Sequence, residues 1–129
     1  MSTYYFARTL DTPVEDAIAR VTEELQKEGF GILTEIDVQA VMKKKLDVEM
    51  PPYRILGACN PHFAYQALQA EDKIGTMLPC NVIVRQAEDG RTEVAAVDPV
   101  ASMQAIDNPR LAEIAGEVRE RLRRVVERL

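Results

Sequence analysis

The sequence contains two cysteines, and an asparagine follows each of them. Cys59-Asn60 lies at the end of one apolar stretch, and Cys80-Asn81 lies at the start of another. Two thiols that meet near a helix N-terminus could act in redox chemistry or bind a soft metal. Free cysteines are also common as small buried core residues, and Asn60, which precedes Pro61, is a typical helix N-cap. Both interpretations stay open on the sequence alone.

A second group of candidate residues is charged. Glu35 lies in a predicted strand, and Lys45 belongs to the run from Lys43 to Lys45 in the following predicted helix. A carboxylate beside a lysine could do acid-base chemistry near an anion, so Glu35 with Lys45 or Lys43 is a candidate pair. The alternative is a solvated helix face, because consecutive helical residues point in different directions. Asp37 is predicted to cap the helix that follows it.

No arrangement of residues forms an established catalytic or metal-binding motif. The chain has no phosphate-binding loop, no dinucleotide fingerprint and no Ser-His-Asp order. The single histidine, His62, falls in the first turn of a predicted helix and is expected to be exposed. Two thiolates with this histidine do not close a zinc site. We therefore predict no catalytic residues and no metal site, and the sequence leaves any cofactor unknown.

Hydrophobic periodicity and capping signals predict the elements that position these residues. The predicted order is β-α-β-(short α)-β-α-β-β-α, which is typical of a single α+β domain over residues 1–129, with helices packed on a sheet. An N-cap at Thr12, followed by Pro13, is expected to start the first helix, and Gly29 to end it. The strands are predicted at residues 4–9, 31–36, 53–59, 80–87 and 91–97, and the helices at 12–28, 38–46, 60–71 and 108–129.

The distance between the two Cys-Asn pairs depends on the direction of two strands. If strands 53–59 and 80–87 are parallel, the pairs lie at opposite ends of the sheet. The nine residues 71–79 are long enough to return along the preceding helix, so antiparallel pairing is also available. In that case the two pairs meet at one end of the sheet, beside the free amides of a helix N-terminus. The candidate ligand-binding residues are Glu35, Lys45, Cys59, Asn60, Cys80 and Asn81.

Composition restricts the class of protein. The 129 residues are 47% hydrophobic and 29% charged, with a formal net charge of −5, which is typical of a globular domain. The acidic balance argues against a nucleic-acid partner, and no apolar run is long enough to span a bilayer. The first residues lack the features of a signal peptide. We expect a soluble cytoplasmic protein with reduced thiols and with neither a nucleic-acid nor a membrane partner.

A combination of short segments resembles a known family. The segments are Gly29-Phe30-Gly31, Thr34-Glu35-Ile36-Asp37, Lys43 to Leu46, Glu49, Pro52 to Pro61 and Leu78-Pro79-Cys80-Asn81-Val82. Together they resemble domain of unknown function 302 (DUF302), a bacterial and archaeal family, over nearly the whole chain, with Met77 as a departure where the family more often has leucine. The resemblance implies a curved, mostly antiparallel sheet similar to the TATA-binding-protein-like arrangement, and a homodimer. It implies no activity.

Three functions stay open. The first is a non-catalytic domain that binds a small molecule or anion, or another protein, and acts as a homodimer. The second is a thiol-based redox or soft-metal protein that uses Cys59 and Cys80, and the third is an enzyme that uses Glu35 and Lys45 at an anion pocket. Self-association is expected to use a sheet edge or the outer charged face of the last helix, because the apolar side of that helix must cover the sheet.

Overall fold

The structure is a computed structural model that describes residues 3–129. Met1 and Ser2, part of the predicted domain range and of the segment that lacks signal-peptide features, lie outside the described residues. The elements are β1 (Tyr5–Leu10), α1 (Val14–Lys27), β2 (Gly31–Asp37), α2 (Val38–Leu46), β3 (Tyr53–Cys59), α3 (Pro61–Ala70), β4 (Cys80–Gln86), β5 (Thr92–Val97), α4 (Pro99–Ser102) and α5 (Pro109–Glu127). A 3-10 turn over Ile74–Met77 and the short α4 are additions to the predicted order.

The five strands form one sheet in the order β1-β5-β4-β3-β2, and every neighbouring pair is antiparallel. Helices α1 and α5 pack on one face of this sheet. The side chains that point toward them from the central strands are apolar and buried: Leu56, Ala58, Val82, Val84, Val94 and Ala96. The predicted α+β fold, with helices packed on an antiparallel sheet, is confirmed.

Helix α5 supplies the largest share of the helical layer. Its buried residues recur at helical spacing, as the sequence pattern predicts: Leu111, Ala115, Val118, Leu122, Val125 and Val126. Asn108 caps the helix by accepting hydrogen bonds from the backbone N–H groups of Arg110 and Leu111, both at 3.2 Å. The cap determines where the helix starts, and the row of buried apolar residues determines which side of the helix faces the sheet.

Helix α1 ends as predicted but does not start as predicted. At its end Gly29 has φ +88°, and the Phe30 N–H donates to the Leu25 carbonyl at 2.9 Å, which closes the last turn. At its start Pro13 takes the N-cap position, so the predicted cap by Thr12 is wrong. The Thr12 carbonyl instead accepts a hydrogen bond from the Thr92 hydroxyl of β5, which ties this residue to the sheet.

The second face of the sheet, here called the open face, carries a row of small and branched apolar side chains across all five strands. Strand register places them directly opposite one another in the order Ile36, Ile55, Ile83, Ala95 and Ala7. None of the five belongs to the core clusters formed by the described residues. No helix within residues 3–129 is long and apolar enough to cross a membrane.

Candidate functional site

A cleft of about 270 Å³ lies between α3 and α5, where the end of β3 meets the start of β4. Its walls are mainly apolar. The lining consists of Phe63, Ala64, Ala67 and Leu68 of α3, Leu111, Ile114, Ala115 and Val118 of α5, Ala58, Cys59, Asn60, Leu78, Pro79 and Cys80 around the strand ends, and Phe30, Leu33, Pro99 and Met103. We call this space the cleft.

Antiparallel pairing of β3 with β4 brings the two cysteines to the cleft. Ala58 lies directly opposite Cys80, so Cys59 is its diagonal neighbour. Both cysteines are free thiols, and both line the cleft together with Asn60. Asn81 is separated from them, because it alternates to the open face and is exposed there. Three of the four residues in the two Cys-Asn pairs therefore share one site.

Asn60 is held by hydrogen bonds at both ends of its amide. Its Oδ1 accepts the Phe63 N–H at 3.5 Å, which caps α3, and its Nδ2 donates to the Glu28 carbonyl at 3.2 Å. The close approach of Gly29 leaves this amide little room, since a Cβ on that glycine would lie 2.9 Å from Asn60 Nδ2. Asn60 thus fixes α3 to the end of α1 and forms part of the cleft wall.

The cleft carries no charge among the described residues that line it. Its lip is also apolar, because Leu33 and Leu68 line the opening and are 67% and 47% exposed. Leu33 reaches this position through a β-bulge, as the register of β2 against β3 shifts between Ile32 and Thr34. The site therefore offers apolar surface from its opening to its base.

Burial changes the acid strength of one thiol. Removal from water, together with a smaller effect of the neighbouring Cys59, raises the pKa of the Cys80 thiol from 9.0 to about 11. The Cys80 side chain is therefore a neutral thiol at physiological pH. A protonated thiol is a poor nucleophile and must lose its proton before it binds a metal.

This shift predicts a specific pH dependence of thiol labelling. In a Cys59→Ser variant under native conditions, burial, the larger cause of the shift, remains, so we expect a maleimide or disulfide reagent to modify Cys80 at a rate that rises about tenfold per pH unit toward pH 11. The unfolded variant in guanidinium is the control, and its rate should level off about two pH units earlier. A native rate that levels off near pH 8 would contradict the burial of this thiol.

Glu35 and Lys45 lie away from the cleft. The Glu35 carboxylate accepts a hydrogen bond from Arg54 Nη1 of β3 at 2.6 Å, and Glu15 of α1 binds the same guanidinium at 2.7 Å. Asp37 lies 3.4 Å from it. The partner of Glu35 is thus Arg54 rather than Lys45 or Lys43.

The lysine run of α2 and the histidine of α3 behave as surface residues. Lys43 pairs with Asp47 at 2.8 Å and with Glu49 at 2.6 Å, while Lys44 and Lys45 are exposed. Asp37 caps α2 as predicted, since it accepts the Ala40 N–H at 3.0 Å. His62 is exposed in the first turn of α3, which confirms the sequence prediction.

Sequence reasoning missed most of the cleft lining, which comes from α3, α5 and the segment before β4. The available signal was a set of small residues on the apolar sides of two helices, Ala64 and Ala67 in α3 and Ala115 in α5. Small side chains where two helices face each other leave space unless another element fills it. Met103 beside α4 had no comparable signal.

Comparison with known proteins identifies relatives by family and by fold. The family model described as Domain of unknown function DUF302 matches residues 6–129. A crystal structure of an uncharacterized conserved DUF302 protein from Bacillus stearothermophilus shares 29% sequence identity, with 98% of each chain covered and a TM-score of 0.91. The comparison with curated proteins finds no match. The chain therefore belongs to the DUF302 family.

Proposed function

We propose that the protein is a non-catalytic domain that binds a small organic ligand in the cleft and acts as a homodimer. The observation that carries the first part is an apolar space between two helices that, within the described part of the chain, no side chain fills and no charged residue lines. Protein interiors are close-packed and rarely contain voids much larger than a water molecule. The cleft of about 270 Å³ exceeds such a void and opens to the surface between Leu33 and Leu68, whereas two larger surface depressions, of about 460 and 570 Å³, are lined in part by charged side chains.

The two alternative functions receive less support from the same geometry. A thiol-based redox or metal function needs an accessible thiolate, whereas the Cys80 thiol is buried and its pKa is raised. An enzyme that uses Glu35 and Lys45 needs both side chains at one pocket. Glu35 lies opposite Leu56 of β3, and Leu56 is four residues before Asn60. The Glu35 carboxylate is bound to Arg54 and does not line the cleft.

A neutral fluorescent probe tests ligand binding. N-phenyl-1-naphthylamine should bind the wild-type protein saturably with one site per chain, because its fluorescence increases in an apolar environment. Ala115→Leu should weaken this binding at least tenfold, since the added side chain enters the cleft from α5. Ala112→Leu is the matched control, because Ala112 lies on the exposed side of the same helix. Absent or unsaturable binding, or equal binding by both variants, would contradict the proposal.

The homodimer needs a surface that the fold does not already use. The outer side of α5 is one expected surface, but several of its charges already pair with one another. Arg119 binds Glu120 at 2.9 Å, and Arg123 binds both Glu120 and Glu127, at 2.5 and 2.9 Å. These ion pairs reduce the charge that could attract a second copy. The open face is the better candidate.

The open face has the size and composition of a dimer interface. Five strands of six or seven residues span roughly 24 by 20 Å, so two copies packed face to face would bury about 1,000 Å², the lower limit for a stable interface. Its apolar row is bordered by Tyr53 and by the ion pair of Arg85 with Glu93 at 2.8 Å. Apolar centres with a polar rim, together with tyrosine and arginine, are typical of protein interfaces.

Light scattering tests the dimer and its location. We expect the wild-type protein to have twice its chain mass of 14.5 kDa at micromolar concentration. Ile83→Lys should shift it to a monomer, because the charge would be buried at the centre of the interface. Val100→Lys, which changes an exposed apolar residue of α4, should leave the mass unchanged. A monomeric wild type across a hundredfold concentration range would contradict the dimer, and a dimeric Ile83→Lys variant would contradict the interface.

A further inference from the structure

We propose that the cleft selects neutral apolar ligands of about ten carbons, such as a medium-length alkyl chain or a fused pair of aromatic rings, and rejects anions. This inference rests on the proposed function, because it names the chemical class that the same cleft would take. It differs from the sequence-based expectation of an anion pocket at the helix N-terminus beside Asn60.

The amide side chain at the cleft is already occupied. Asn60 is the only described lining residue with an amide side chain, and both ends of that amide are bound within the protein. Its Oδ1 covers the start of α3, where an anion would otherwise find free N–H groups. The carboxylate or phosphate of an anionic ligand would therefore have no hydrogen-bond partner among the described residues of the cleft, and the free-energy cost of removing that charge from water is large.

Nearby cations are also committed elsewhere. One guanidinium lies beside the α3 wall: the Cζ of Arg121 is 5.1 Å from the centre of the Phe63 ring. Its Nη1 donates to the Glu28 carbonyl at 3.3 Å and lies 3.8 Å from the Glu28 carboxylate. Phe63 lines the cleft, whereas Arg121 does not. One end of this guanidinium therefore serves the contact between α1 and α5, and its Nε, which has no hydrogen-bond partner within residues 3–129, is buried.

The volume sets the size of the ligand. An apolar cavity of about 150 Å³ holds benzene, which has six carbons, so a cleft of about 270 Å³ holds roughly ten or eleven. Leu33 and Leu68 extend the apolar surface to the opening, so a longer chain can pass its polar end into solvent there. Chain length beyond about ten carbons should then add little affinity.

Competition with N-phenyl-1-naphthylamine tests the ligand class with matched pairs. Primary alcohols from six to fourteen carbons are compared with carboxylates of the same length at pH 8. We expect the affinity of the alcohols to rise three- to fourfold per methylene up to about ten carbons and then to level off. Each carboxylate of ten carbons or fewer should bind at least tenfold more weakly than its alcohol.

A second variant tests where the alkyl chain of the ligand lies in the cleft. Ala64→Phe fills the α3 side of the cleft, and we expect the affinity to level off at about six carbons. Ala112→Phe, on the exposed side of α5, should leave the chain-length dependence unchanged.

If the probe binds but carboxylates compete as well as alcohols, the ligand class is wrong while the proposed function stands. If the probe does not bind at all, the proposed function itself fails. An unchanged length dependence in Ala64→Phe would overturn the location.

Discussion

Gly57→Ala is expected to destabilise the protein by about 3 kcal/mol, because the close contacts around Gly57 leave no space for a methyl group. A Cβ at this position would overlap Thr34 Oγ1 and lie 2.7 Å from Pro79 Cγ. Gly57 sits in β3, and Pro79 immediately precedes Cys80. The substitution therefore disturbs the junction of β3 and β4 that forms the base of the cleft, and urea unfolding measures the loss.

Gly116→Ala is the matched control for this substitution. Gly116 lies inside α5, and a Cβ there would meet nothing within 4 Å. Alanine favours a helix interior, so we expect a gain of about 0.5 to 1 kcal/mol. Combining Thr34→Ala with Gly57→Ala should recover part of the loss, because one of the two close contacts disappears. A stability of Gly57→Ala within 1 kcal/mol of the wild type would contradict the packing described here.

Glu28→Ala is expected to cost about 2 kcal/mol, because the carboxylate that joins α1 to α5 is itself largely shielded from water, although its arginine partners are 43% and 40% exposed. Its side chain is only 10% exposed. Arg124 Nη2 donates to its carboxylate at 3.0 Å and Arg128 Nη2 at 2.7 Å. Removing the carboxylate leaves two guanidinium groups without this partner. Urea unfolding at pH 7 measures the change.

Glu120→Ala provides the control, since Glu120 also binds two arginines but is 40% exposed. Glu120→Ala should lower the free energy of unfolding much less than Glu28→Ala, because solvent screens exposed ion pairs. The pKa of Glu28 lies below its ordinary value of 4.5, mainly through the hydrogen bond from Arg124 and against the opposing effect of burial. Its contribution to stability is therefore present above pH 4.5 and is lost as pH falls through the lowered pKa. Equal losses for both variants would contradict the role of burial.

The elements and their caps could be predicted from local sequence. Asn60-Pro61 and Asn108-Pro109 mark helix starts that the structure confirms, and Asp89-Gly90 marks the turn between β4 and β5. These signals act over a few residues, so neighbouring positions determine them. The cap predicted at Thr12 is wrong: its Oγ1 is buried without a hydrogen-bond partner among the residues that the structure describes, and its carbonyl is bound by distant β5.

Contacts between distant segments were harder to predict. The partner of Glu35 depends on the register of β2 against β3, which places Arg54 within reach of it. The cleft depends on how far apart α3 and α5 lie, and that distance is set by the whole sheet and by the turn at Ile74–Met77. Residue types placed the two cysteines among the candidates, but only strand direction brings Cys59 beside Cys80.

The central claim is that the cleft binds a neutral apolar molecule, and alanine methyl NMR tests it most directly. Addition of 1-octanol should shift the methyl signals of Ala64, Ala67 and Ala115, which line the cleft. The methyl signals of Ala7 and Ala95, on the open face, should stay in place. Saturable shifts confined to the first group are the predicted result. Shifts confined to Ala7 and Ala95, or no saturable shift at any of the five, would contradict the claim.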